Sequence, residues 1–303
     1  MREVKGDMES AHVIKMSIGG VGVELNSPFP LYTNGTSGLF VSHYDKQYDR
    51  ASSIPIEIAL CDSISAPNAA PDYASSFVEV YTTPNGCVTI RKHPKTGAAF
   101  AMFVDNVEQS KHMLYIKESV IEDERELNRL LLYICLPHLL LTRGRIMLHS
   151  SYICYKGNGI IFIGASGAGK STQAELWRKH SNVSVINGDR VILSRDVATK
   201  TVTAYSMPYS GTSGICKNMD TKLSGIVIPI KANKTIGKRV YGIQAVKPII
   251  ENAVVENWRS GEEATAILIA CSIAEAVPVI LLECLPDISA VETVQQMLLN
   301  HII

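Results

Sequence analysis

The sequence predicts two folded parts of different class: a β-rich (α+β) amino-terminal domain over residues 1–118 and an α/β domain with a mixed sheet over 145–303, joined by a helical connector at 119–144. Three observations predict it. Up to Lys117, apolar residues come in short runs broken by Gly, Pro, Asn and Ser, the pattern of strands and turns. From Glu122 to Leu141 the apolar period becomes that of a helix. Beyond Ile146, strand-length runs alternate with helical segments. The first two of these runs are separated only by Lys156-Gly157-Asn158-Gly159, too short for a helical crossover, so this pair is antiparallel and the sheet is mixed.

Composition narrows the class. With 303 residues and 46% apolar side chains the chain can bury a large core. Its 29 basic and 29 acidic side chains cancel, so no overall field attracts nucleic acid or an anionic membrane, and neither is an expected partner. Seven cysteines without C-x-x-C spacing argue against a zinc ribbon or a disulfide scaffold and for reduced thiols. The charged opening MREVKGDMES has no apolar signal region. The most apolar window, Leu130 to Leu141, is interrupted by Pro137 and His138 and is shorter than the roughly 20 residues a membrane span needs. The expectation is a cytoplasmic protein.

In the first part, strands are expected at Val13–Ile18, Val21–Leu25, Ile54–Leu60, Val78–Tyr81, Cys87–Arg91, Ala98–Val104 and His112–Ile116, with a hairpin turn at Pro84-Asn85-Gly86. Ser63–Ala74 reads as a mobile loop. Asp45, Asp62, His93 and Asp105 stand alone in turn-like contexts and read as solvated surface. Glu122–Leu141 reads as one helix, with Asp123, Glu124 and Glu126 in its first turns and Gly144 beyond its end. In the second part come an arm Ile146–Tyr155, a strand Ile160–Ile163, a helix from Ser171, a strand Val183–Ile186, a hairpin of Val191–Asp196 with Thr201–Met207, and a strand Leu223–Ile230. Helices at Gln244–Trp258 and Glu262–Ala276, a strand Val277–Leu282, and a helix Ser289–Leu299 opened by a Ser289-x-x-Glu292 capping box complete it.

The chemistry centres on Gly164-Ala165-Ser166-Gly167-Ala168-Gly169-Lys170-Ser171-Thr172, which fits G-x-x-x-x-G-K-[ST] between a strand and a helix. Glycines let successive N–H groups turn toward phosphate, and the helix N-terminus adds favourable charge. Lys170 would reach the β/γ-phosphates and Ser171 would ligate Mg²⁺. Asp189 lies 19 residues beyond Lys170 at the carboxyl end of the next strand, where a carboxylate can take a proton from an attacking hydroxyl or hold Mg²⁺, or simply make a turn with Gly188. His149, in an apolar arm, is either a core histidine or a phosphate-side group. Ser210, Gly211 and Thr212 sit in a loop that closes over substrate or is plain surface. Lys231, Lys234, Lys238 and Arg239 form a basic stretch, read as binding phosphate or an acidic partner, or as a solvated connection.

The order Leu148-His149, glycine-containing turn, strand Ile160–Ile163, loop Gly164–Thr172, then a strand ending in Asp189-Arg190-Val191, resembles the HPr kinase/phosphorylase family of the phosphoenolpyruvate-carboxykinase-like P-loop proteins. Met207-Pro208-Tyr209-Ser210-Gly211 is similar to a P-[WY]-x-G element of that family's relatives, and Val277 to Glu292 to their closing strand and helix. The resemblance covers about residues 145–303. It implies a P-loop kinase domain using ATP and Mg²⁺, with Lys170, Asp189 and His149 as catalytic residues, Asp189 as general base, and Ser171 and Asp189 at the metal. Those kinases carry two acidic residues where this chain has Gly188-Asp189, so HPr as substrate is not carried over.

The expected function is thus ATP-dependent phosphoryl transfer to a hydroxyl of a peptide, a protein or a small molecule. The alternative is a nucleotide-dependent binding or switch protein without transfer. Homo-oligomerisation is left open.

Overall fold

The computed structural model describes residues 12–41, 53–84, 86–106, 111–181, 183–256, 259 and 261–302. Asp45, Asn85 and Trp258, named above, lie outside the described residues. The chain divides into two units, Met1–Leu136 and Pro137–Ile303.

The first unit carries strands β1 (His12–Ile18), β2 (Val21–Ser27), β3 (Ile54–Cys61), β4 (Tyr73–Ala74), β5 (Val78–Thr83), β6 (Gly86–Lys92), β7 (Ala99–Asn106) and β8 (Lys111–Lys117). They form one mixed sheet in the order β1-β2-β3-β8-β7-β6-β5-β4, parallel at β2·β3 and β3·β8. Alternation sets the faces: Ile54, Ile56 and Ile58 are buried while Glu57 between them is exposed. Gly19 and Gly20, both at positive φ, make the two-residue turn that joins β1 to β2. Ser63–Ala74 is irregular until β4, which pairs with β5. Asp62 and His93 are exposed as expected, but Asp105 is not. It is buried opposite His112 in the β7·β8 register, its Oδ1 3.0 Å from His112 Nδ1, so a polar side chain across the ladder stands where hydration was expected.

The single connector helix is three short ones: α1 (Ile121–Glu124), α2 (Leu127–Tyr133) and α3 (Leu136–Leu141). Leu127, Leu130 and Leu131 keep their helical spacing and are buried. The break between α2 and α3 contains Cys135 at φ 49°, just ahead of Pro137, whose ring lacks an N–H and crowds the residue before it.

The second unit contains β9 (Arg145–His149), β10 (Ser151–Tyr155), β11 (Asn158–Phe162), α4 (Lys170–Ser181), β12 (Ser184–Asn187), β13 (Arg190–Arg195), β14 (Val202–Tyr205), β15 (Asp220–Lys231), β16 (Ile236–Val240), α5 (Ile243–Glu251), α6 (Glu262–Ala276), β17 (Val279–Cys284) and α7 (Ile288–Ile302). Its mixed sheet runs β12-β10-β11-β15-β14-β13-β9, with β17 also on β15 and β16 on β17. The β10–β11 hairpin is antiparallel, as the short turn requires, whereas β11·β15 and β15·β17 are parallel. Side chains alternate between two cores. Ile161, Ile163, Ile226 and Ile228 join the core that includes Ile249 of α5 and Ala270 of α6; Ile160, Phe162 and Val227 join Trp177 of α4 and Leu298 of α7. Helices therefore cover both faces of this sheet.

Four expectations change. The arm Ile146–Tyr155 divides at Ser150, and its first half, β9, pairs with β13 rather than across the hairpin, so His149 stands opposite Arg190. The basic stretch Lys231–Arg239 is no plain connection but contains β16. The helix from Gln244 stops at Glu251; the β-branched Val254 and Val255 follow in extended chain, where Val254 N donates to Met147 O and Asn252 O accepts from His149 N, both at 2.8 Å. The cap of α7 is Asp287, whose Oδ1 accepts from Ser289 N at 2.9 Å, not Ser289 itself.

Candidate nucleotide and acceptor site

At the end of β11, Ile163 N donates to Val227 O, and the chain then leaves the sheet through Gly164, Gly167 and Gly169 at φ 144°, 78° and 107°. A Cβ at Gly167 or Gly169 would meet nothing within 4 Å, so the backbone conformation, not crowding, calls for glycine there. Helix α4 opens at Lys170 with no acidic residue in its first turn. Its first bond back along the chain runs from Gln173 N to Gly169 O, which leaves the N–H groups of Lys170, Ser171 and Thr172 without a helical acceptor.

Two asparagines that sequence reading passed over hold this edge in place. Asn252 Oδ1 accepts from Gly164 N at 3.1 Å while its Nδ2 donates to Pro248 O at 2.8 Å, tying the loop to the end of α5. Asn187, fully buried at the end of β12, accepts from Asp189 N (2.9 Å) and Arg190 N (3.0 Å) through Oδ1. Its Nδ2 donates to Met207 O and Tyr209 O, each at 2.9 Å, and to Ser206 Oγ at 3.3 Å. It thus pins the turn bearing Asp189 to the Met207–Gly211 segment. No periodicity announces such side-chain-to-backbone bonds.

Because β12 and β11 are both antiparallel to β10, they run the same way, and their carboxyl ends share one edge of the sheet. This brings Asp189 to the glycine loop. Its side chain is about a third exposed, and Arg190 Nε lies 3.3 Å from Oδ2. Gly211, at φ 53°, lies so close that a Cβ there would stand 2.7 Å from Asp189 Cγ. The Arg190 guanidinium also sits 5.3 Å over the Tyr209 ring. Lys170 Nζ donates to Gly164 O at 2.6 Å and Ala165 O at 3.2 Å; partial burial lowers its pKa and the Asp189 charge opposes that. His149 is open to the cleft by surface area, yet enough protein surrounds its ring that desolvation lowers its pKa. The Arg190 and Lys170 cations add to that effect and Asp189 opposes it.

These groups line one cleft of about 720 Å³, within the range of ligand sites. Every loop residue from Gly164 to Thr172 except Ala168 is on its wall, together with His149 and Asp189. Of the Ser210–Thr212 loop only Thr212 lines it, and of the basic stretch only Lys231. Glu251 also lines it, without having been anticipated. Among the described residues no three His, Cys, Asp or Glu side chains converge to hold a metal. Ser171 and Asp189 offer two oxygen donors in the cleft, a set that suits Mg²⁺, which keeps several waters and shares its shell with phosphate. Among the described residues no helix is long and apolar enough to cross a membrane.

The second unit is therefore a mixed α/β sheet with helices on both faces and a glycine-rich loop and a carboxylate at one edge. No family model matches the chain, and no curated protein matches it. Among solved structures it is similar to the "Hpr(Ser) kinase/phosphatase from Coxiella burnetii", at 10% identity and a TM-score of 0.30, over 51% of this chain and 89% of that one. A likeness of that degree says nothing about chemistry, which rests on the cleft.

Proposed function

We propose that the chain is a P-loop phosphotransferase that moves the γ-phosphoryl group of ATP to a hydroxyl. One observation carries the reading: a glycine-rich loop on a helix N-terminus, a lysine, a carboxylate and a histidine line one cleft. The N–H groups at the start of α4 and Lys170 would bind the phosphates, with Lys170 Nζ exchanging its loop carbonyls for phosphate oxygen. Ser171 and Asp189 would hold Mg²⁺, which supplies charge neutralisation at the phosphates when bound. Asp189 takes the proton of the acceptor hydroxyl; the hydroxyl oxygen bonds to the γ-phosphorus as the bond to the β,γ-bridging oxygen breaks and ADP leaves. His149, its pKa lowered chiefly by desolvation, favours the uncharged ring and would hydrogen-bond in the cleft without adding charge.

The test is transfer of radiolabelled γ-phosphate from ATP to cell-extract proteins, peptides and metabolites by wild type and Asp189→Asn. Acceptor-dependent transfer by wild type, reduced about 10²–10⁴-fold in the variant, is expected for loss of a general base. Nucleotide binding with no transfer to any component would refute phosphotransfer and leave a nucleotide-dependent switch. Full transfer by Asp189→Asn would remove the base assignment alone.

A further inference from the structure

Strand β16 is an edge. Among the described residues it pairs with β17 and with nothing else, so one side of its backbone is free to pair. Its end nearer the cleft is fixed by register: Ile236 stands opposite Glu283 and Lys231 opposite Cys284, at the carboxyl end of β17, and Lys231 lines the cleft. From there a five-residue strand covers about 17 Å. Lys231, Lys234, Lys238 and Arg239 lie along this stretch, all exposed, and no described carboxylate comes within ion-pairing distance of them. Such cations oppose pairing with an identical edge of a second copy and favour a strand of opposite charge.

The far end of β16 opens on a cavity of about 420 Å³ walled by Val240, Tyr241, Ile243, Val246, Ile267 and Cys271. Tyr241 and Ile243 are 68% and 74% exposed, an unusual state for large apolar side chains at a cavity mouth. Glu275, also on the wall, is engaged by Arg195 at 3.5 Å and leaves the basic character of the stretch intact.

The geometry points to β16 as the docking edge for an extended acidic peptide, which adds a strand there, seats one apolar side chain in the Tyr241–Ile243 cavity and presents a hydroxyl residue to the cleft. Main-chain pairing supplies affinity, and the cations and the cavity supply selectivity. The acceptor would carry acidic residues next to the hydroxyl and an apolar residue about five to seven positions away, the length of the strand. That the peptide is an acceptor rests on the phosphotransferase reading; where it binds does not.

The test uses the full chain without nucleotide and a fluorescein-labelled peptide of alternating Glu and Val ending in Leu, read by anisotropy. Amide NMR shifts of Ile236–Val240 locate the binding. A matched Lys–Val peptide should bind at least about tenfold more weakly, and Lys238→Glu with Arg239→Glu should reverse that order. Ile243→Glu, at an exposed position, should weaken the peptide with the terminal Leu and not one ending in Ser. Equal binding of both peptides, indifference to the charge reversal, or unmoved β16 amides would overturn the docking edge. So would a dimer in sedimentation that the same reversal disrupts, since the edge would then serve a second copy. Saturable binding with no phosphate passed from ATP to a serine-containing version, or to any cell-extract protein, peptide or metabolite, refutes the phosphotransferase reading and leaves the docking edge standing. Transfer to a small hydroxyl compound with no peptide binding does the opposite.

Discussion

Asn187→Ala separates the support of the site from its chemistry. The amide takes part in five hydrogen bonds, two that it accepts from the backbone at Asp189 and Arg190 and three that it donates to Ser206, Met207 and Tyr209. Alanine removes all five at once. The Asp189 and Arg190 N–H groups can turn to cleft water and Met207 O keeps the Cys216 thiol at 3.2 Å, but the Tyr209 carbonyl loses its Asn187 donor, at about 1–3 kcal/mol for an unmatched buried group. The expected loss is about 1–3 kcal/mol, visible as a lower urea midpoint with unchanged slope. Freed from its turn, the Asp189 carboxylate no longer holds its place, and turnover should fall about 10–100-fold, the effect of roughly 1 Å of misplacement. Nucleotide affinity should not change, since no loop residue bonds Asn187. Wild-type turnover together with less than about 1 kcal/mol of lost stability would refute the assignment of Asn187 as a positioning residue.

Gly211→Ala places a methyl against Asp189 and a side chain at φ 53°, so it should lower turnover while costing about 1–2 kcal/mol from the left-handed backbone; unchanged turnover would show that Asp189 moves aside freely. The lowered pKa of His149 gives stability a pH dependence. Between that lowered value and the ordinary one of about 6.5, the unfolded chain binds a proton that the folded chain does not, so stability falls as pH drops through this window. His149→Gln should flatten the fall, measured as urea midpoints at two pH values on either side of the window; an identical slope in the variant would show that other groups carry it.

What could be read beforehand depended on the range of the interactions. The glycine loop and Asp189 were legible because the motif and the strand end that carry them are local. The loop's anchors were not: Asn187 acts on carbonyls about 20 residues away and Asn252 on a glycine 88 residues away, and neither leaves a local pattern. Edge strand β16 does not announce itself as a strand within the basic stretch, because a strand paired on one side needs no continuous apolar run, and Ile236-Gly237-Lys238-Arg239-Val240 has none. The connector was read as one helix because its apolar period continues through Cys135 and Pro137, where backbone chemistry overrides periodicity. Asp105 looked solvated because its partner His112 lies across a ladder rather than beside it in sequence.

The bond from Gly164 to Asn252 also bears on synthesis. At about 5–20 residues per second, the 88 residues added after Gly164 up to and including Asn252 take on the order of 4–18 s to be made. During that interval the β10–β11 hairpin and α4 can form from local contacts, but the loop between them has no acceptor for its first N–H. The nascent cleft is therefore incomplete until α5 has emerged, and a chain released before Asn252 would carry the whole glycine motif without the residue that fixes its shape.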